Sequence, residues 1–194
     1  MASQSFVQLV SLACHDLRTP LATAAGFART LERLDELAHP SDRYVRMIGA
    51  ATDQLADLLD LLSVLTRIES GRYEPQLRTI STRALADDAA GQLDEGRASV
   101  EGEGIDVRAD PEWAPKCLSG LAEAARRHGG LEHITLRVDG GVVSVGPIVA
   151  EAGPIAVGDD PKDFAAAVGA RVLAATGVEL ELGDDALRVR FGEG

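Results

Sequence analysis

The sequence predicts an α+β chain in which a helical hairpin, suited to a dimeric four-helix bundle, is followed by a small α/β-sandwich domain. Three observations carry that prediction. Up to Gly71, apolar residues recur in steps of three and four along two long stretches separated by a short break. From Gly71 to Thr82, Tyr73, Pro75 and short polar residues read as a linker. Beyond it, helix-period and strand-period segments interleave. The domain boundaries that follow are 1–71 for the hairpin, 72–82 for the linker and 83–194 for the sandwich.

The first helix starts near Ser3 or Ser5, both suitable caps, and runs to about Leu37. Its apolar positions are Phe6, Val10, Ala13, Leu17, Leu21, Ala24, Ala28, Leu31 and Leu34. A turn at Ala38-His39-Pro40-Ser41 leads into the second helix, whose seam reads Ile48, Ala51, Leu55, Leu58, Leu62 and Leu65. Leu59 and Leu61 widen that stripe, and Gly71 is its C-terminal cap. A lone hairpin cannot bury so broad an apolar face. A second copy can, giving a symmetric four-helix bundle.

The second part is expected to hold a helix at Thr82–Asp94, a Gly/Glu-rich break, a strand at Ile105–Ala109 and a helix at Glu112–His128. A hairpin at Ile134–Val145 turning on Asp139-Gly140-Gly141 follows, then a Gly- and Pro-rich loop. A helix at Asp163–Thr176 and a hairpin at Val178–Phe191 end the chain. Glu101-Gly-Glu-Gly104 reads as a loop, since two acids flank its glycines. Arg126-Arg127-His128 reads as a solvated helix end, while His133 and Trp113 read as structural.

Composition narrows the function. A hydrophobic share of 45% is ample for a core, and the net charge of −12 argues against nucleic acid or an anionic membrane as partner. No uncharged apolar run reaches the roughly 18 residues of a membrane span, so a cytoplasmic protein is expected. Cys14 and Cys117 have no metal-ligand spacing and read as reduced thiols. Fourteen residues precede His15, too few for a sensor domain.

The chemistry concentrates at His15-Asp16-Leu17-Arg18-Thr19-Pro20-Leu21. His15 lies two residues from both Ala13 and Leu17, which at about 100° per residue puts it on the solvent side of the helix. Pro20 has no N–H to donate and crowds the carbonyl of Asp16, so any kink falls beside the histidine. A neutral imidazole is a nucleophile through one nitrogen when an acceptor holds the proton on the other, and Asp16 is the nearest acceptor. Arg18 and Thr19 share the face of His15 and suit a phosphoryl group. Cys14 adjoins His15, but neighbours on a helix diverge, so no Cys/His nucleophile pair is expected.

That heptapeptide resembles, residue for residue, the phosphoacceptor box of the sensor histidine kinases of two-component systems. The resemblance implies that His15 is phosphorylated, that Asp16 assists as base or orienter, and that the Thr19 hydroxyl lies near the phosphate. Arg18, Ala22, Ser63 and Arg67 would then form the phosphate- and partner-binding surface. Ser63 and Arg67 enter because, counted outward from the turn, His15 falls level with Val64.

In that family the bundle is followed by an ATP-binding domain with a similar order of elements. Its nucleotide site uses a magnesium-binding asparagine, an Asp-x-Gly-x-Gly loop and a later Gly-x-Gly loop. Here Ala124 stands at the asparagine position of the helix Cys117–His128, and the chain contains no asparagine. Val143–Gly153 carries no aspartate, and Asp159-Asp-Pro-Lys-Asp163 replaces the phosphate loop with acids that would repel a triphosphate.

The chain is therefore similar to dimeric histidine phosphotransferases with a degenerate ATPase-like domain. It is expected to exchange phosphate between His15 and aspartates on response-regulator receiver domains, with an upstream histidine kinase as a further partner. No cofactor or metal is expected on this chain, ATP binding is not expected, and magnesium is supplied at the receiver. Two alternatives stand beside it: an active or divergent sensor-type kinase or receiver phosphatase, and a non-catalytic dimeric scaffold.

Overall fold

The computed structural model describes Cys14, Arg18 and residues 21–32, 41–160 and 162–192, and divides into two compact units, Met1–Arg72 and Tyr73–Gly194. His15, Asp16, Thr19 and Pro20 lie outside the described residues, as do the expected caps Ser3 and Ser5 and the turn residue His39.

In the first unit, α1 covers residues 21–32, with Cys14 and Arg18 also helical, and α2 is Ser41–Glu69. Ion pairs tie Arg18 to Asp60 and Arg29 to Asp53, so a later position on α1 meets an earlier one on α2. The two helices form an antiparallel hairpin. At the far end of α2, Gly71 takes a φ of 65°. Its N–H donates to the Ile68 carbonyl at 3.0 Å while Arg72 N–H donates to that of Arg67 at 2.9 Å. This is the paired Schellman closure that a C-terminal glycine allows.

α2 carries two stripes offset by one residue. The stripe that turns inward contains Val45, Gly49, Thr52 and Thr66, all buried, with Ala56, Leu59 and Ser63 half-buried. It faces Cys14, Ala25 and Ala28, which are buried positions of the first helix among the described residues. The stripe Ile48, Ala51, Leu55, Leu58, Leu62 and Leu65 is the other one, and Leu55 is 53% and Leu58 46% exposed. The expected seam is thus rotated about 100° away from the contact that holds the hairpin together. On α1, Phe27 and Leu31 are exposed as well.

The second unit is a sandwich of helices on a sheet. Its elements are β1 Arg78–Ser81, α3 Thr82–Gly91, β2 Ala98–Gly104, β3 Asp106–Ala109, α4 Trp113–His128, β4 Ile134–Gly140, β5 Val142–Gly146, α5 Gly153–Ala156, α6 Phe164–Ala175, β6 Glu179–Leu182 and β7 Leu187–Arg190. The main sheet runs β2-β4-β5-β7-β6, with β2 and β4 parallel and the other pairs antiparallel, while β1 pairs with β3. Ile134, Leu136, Val143, Val145, Leu187 and Val189 alternate onto the covered face, over which α3 and α4 pack with Leu85, Leu118 and Leu121, while α6, with Val168 and Leu173 buried, packs on α4 and β6.

Two expectations are corrected here. The stretch 72–82 is not a free linker: it contains β1, and Gln76 N–H donates to the buried carboxylate of Asp110 at 2.9 Å. Glu101-Gly-Glu-Gly104 is not a loop but the end of β2, an edge strand whose glycines allow close approach. A Cβ on Gly102 would stand 2.0 Å from the Val138 carbonyl oxygen, and one on Gly104 2.3 Å from Thr82 Oγ1. The acids alternate onto the solvent side of this strand, which disguises it as a turn. The hairpin turning near Gly140, which has a φ of 57°, falls where the sequence places it.

Candidate functional site

The phosphoacceptor candidates His15, Asp16 and Thr19 lie outside the described residues, so the site is built from those around them. Arg18 sits on the helix with its side chain 55% exposed and engages Asp60 of α2. An exposed pair of this kind contributes on the order of 0–1 kcal/mol, so the guanidinium is held in place yet open to exchange for a stronger anion. Ala22 is exposed one turn on. Ser63 and Arg67 stand one and two turns beyond Asp60 on α2, half-buried and exposed respectively. Ser63 offers its carbonyl to Thr66 Oγ1 at 2.7 Å.

Cys14 is buried, and burial pushes its thiol up, opposed by the charge of Arg18. A protonated, buried thiol is a poor nucleophile.

The second unit concentrates charge at the head of α6. Asp163 is the N-cap: its Oδ1 accepts from Ala166 N–H at 3.2 Å, and its side chain is only 6% exposed. Arg127, in the last turn of α4, pairs with Oδ2 of the same carboxylate, and His128 Nε2 lies 3.4 Å from that oxygen. Neighbouring Lys162 pairs with Asp160 at 2.7 Å. A helix N-terminus attracts an anion through its free N–H groups and its dipole. In this chain the anion is the chain's own side chain. Ala124 is fully buried in α4, so that position faces the core rather than any bound ligand.

The expectation of a solvated end at Arg126-Arg127-His128 is corrected accordingly. Arg126 bonds Glu123 through both Nε and Nη2, at 2.8 and 2.7 Å, and gives Nη1 to the Leu131 carbonyl. The Asp163 cap itself was legible as an acid before an apolar helix; its partner Arg127, 36 residues away, was not. His133 and Trp113 have structural partners, His133 through Ser99 and the Gly96 carbonyl and Trp113 under Lys116 Nζ at 5.1 Å. Among the described residues no group of acids, histidines and cysteines is arranged to hold a metal ion. Nor, among them, is any helix long and apolar enough to cross a membrane.

Residues 7–71 match the His Kinase A (phospho-acceptor) domain family. The chain is 31% identical over 122 residues to the sensor protein DivL of Caulobacter vibrioides, an alignment covering 58% of this chain and 16% of DivL. The fold resembles full-length ShkA, solved in complex with AMPPNP, with a TM-score of 0.62 and 20% identity over 96% of this chain and 47% of that one. It also resembles the histidine kinase AdeS of Acinetobacter baumannii, with a TM-score of 0.56 and 15% identity over 93% and 98% of the two chains. This chain thus spans less than half the length of either DivL or ShkA.

Proposed function

We propose that the chain, whose residues 7–71 match the His Kinase A (phospho-acceptor) domain family, works as a histidine phosphotransfer protein. In this reading His15 takes a phosphoryl group from, or gives one to, an aspartate of a response-regulator receiver domain. Asp16 holds the proton on the far imidazole nitrogen, and Thr19 places a hydroxyl beside the phosphate. Arg18, which is exchangeable between Asp60 and a stronger anion, neutralises the transferring group, with Ala22, Ser63 and Arg67 in the docking surface. In-line transfer between imidazole and carboxylate needs positioning and charge neutralisation more than covalent chemistry. Magnesium enters on the receiver, and the site acts in a cytoplasmic phosphorelay fed by an upstream kinase.

The observation that supports transfer over ATP-driven phosphorylation is the capped head of α6. A nucleotide phosphate approaching there meets the Asp163 carboxylate, already bound to Arg127, with Asp159 and Asp160 beside it in sequence. The exposed stripe of α2 is more apolar than the buried one, which supports a homodimer in which a second copy covers it. A divergent sensor-type kinase is the second reading, favoured by a fold likeness that extends across 96% of the chain to ShkA.

The test is a pair of reactions. The pure protein is incubated with magnesium and radiolabelled ATP, and in parallel with a receiver domain or kinase carrying labelled phosphate. Acid-labile, base-stable label that appears only in the second tube and vanishes in His15→Ala supports phosphotransfer. Robust His15 labelling from ATP alone would establish the kinase. Wild-type signalling in cells by His15→Ala, with the dimer intact, would leave only the scaffold.

A further inference from the structure

The solvent face of the main sheet holds a hydrogen-bonded chain that the phosphotransfer reading does not use. His133, just ahead of β4, places Nδ1 3.0 Å from the Gly96 carbonyl oxygen and Nε2 2.9 Å from Ser99 Oγ. A carbonyl can only accept, so the neutral imidazole carries its proton on Nδ1 and presents a lone pair at Nε2. Ser99 must then donate to Nε2. Its hydroxyl proton being spent, Ser99 accepts from Thr135 Oγ1, which lies 3.3 Å away on the neighbouring strand in direct register. With the imidazole neutral, the donor and acceptor roles along the series follow.

An acceptor that fixes the base and a base that faces a hydroxyl are the arrangement that turns serine into a nucleophile. Beside it, Thr135 also lines an open groove of about 250 Å³, with Arg137 and Ser144 on the strands and Asp185 on the β6–β7 turn. Arg137 meets Glu101 at 3.3 Å in an exposed pair, which leaves its guanidinium able to take a carboxylate. Asp185 opposes a second negative charge.

We propose that Ser99 is a nucleophile activated by His133, acylated by small esters that bear one carboxylate and bind in the adjoining groove through Arg137. Ser99 Oγ bonds to the acyl carbon as the ester C–O bond breaks; the Oγ proton passes to His133 Nε2 and leaves on the departing alcohol. Thr135 donates to the attacking oxygen and keeps it aligned.

The full chain is treated with p-nitrophenyl acetate and, separately, with the mono-p-nitrophenyl ester of succinic acid, and acylated peptides are mapped by mass spectrometry. Ser99 is expected to label far faster than other exposed serines, His133→Ala to slow this by about 10²-fold or more, and added imidazole to restore part of it. The succinyl ester is expected to label faster than the acetate, an advantage lost in Arg137→Gln. Both substitutions are on the surface, and a thermal melt checks that each variant folds. Ser99 labelling at the rate of other serines, or labelling indifferent to His133→Ala, would overturn the nucleophile. Equal rates for the two esters would overturn the groove as their site.

Discussion

Arg127, at the end of α4, binds the carboxylate of Asp163, the residue that caps α6. One side chain thereby closes a helix N-terminus and joins two helices of the second unit. The side chain of Asp163 is 6% exposed and that of Arg127 59%, so the carboxylate depends on its partners while the guanidinium is half in water.

Asp163→Ala removes the cap and strands Arg127. A loss of about 1–3 kcal/mol is expected, read as a lower urea midpoint at unchanged slope. Asp163→Asn, which keeps the acceptor for Ala166 N–H and drops the charge, should recover part of it.

The two stripes of α2 predict opposite outcomes. Leu55→Asp with Leu58→Asp changes exposed positions of the single chain, so light scattering should report a monomer whose helical circular dichroism persists. Ala28→Asp, in the buried face of the hairpin, should instead lower the helical signal itself, because a buried unpaired carboxylate costs several kcal/mol.

Glycines separate in the same way. Gly102→Ala forces a Cβ against the Val138 carbonyl at a φ of 85°, and a loss of about 3 kcal/mol or outright failure to fold is expected. Gly26→Ala, inside α1 with nothing within 4 Å of its Cβ position, should stabilise by about 1 kcal/mol. Thermal melts of the two variants should move in opposite directions.

Burial pushes the Cys117 thiol up from 9.0 to about 12, with Asp110 adding to the shift and Lys116 opposing it. The unfolded chain loses this proton first as pH rises, so the contribution is intact below pH 9 and declines toward pH 12. The loss is on the order of 4 kcal/mol. Urea titrations at pH 8 and pH 10.5 should show it, and Cys117→Ala should flatten the difference. In the native state at pH 8 a disulfide reagent should leave Cys117 unmodified.

The sequence by itself determined what local chemistry decides: the helical hairpin, the Gly71 closure and the β4–β5 turn. Each is a matter of periodicity or of a glycine within a few residues, so a linear reading suffices. Of the candidate site, Arg18, Ala22, Ser63 and Arg67 now have places on the two helices. Tertiary structure alone decided which stripe of α2 faces α1, because both have the same period and only the partner helix selects between them. It also decided that a Gly/Glu-rich stretch is a strand, since the backbone contact that requires those glycines comes from Val138, 36 residues away in sequence. The partners of Asp163 and Ser99 were hidden for the same reason. An ion pair or a hydrogen-bonded series across strands is a property of neighbours in space, and folding brings together residues whose separation in sequence leaves no periodic trace.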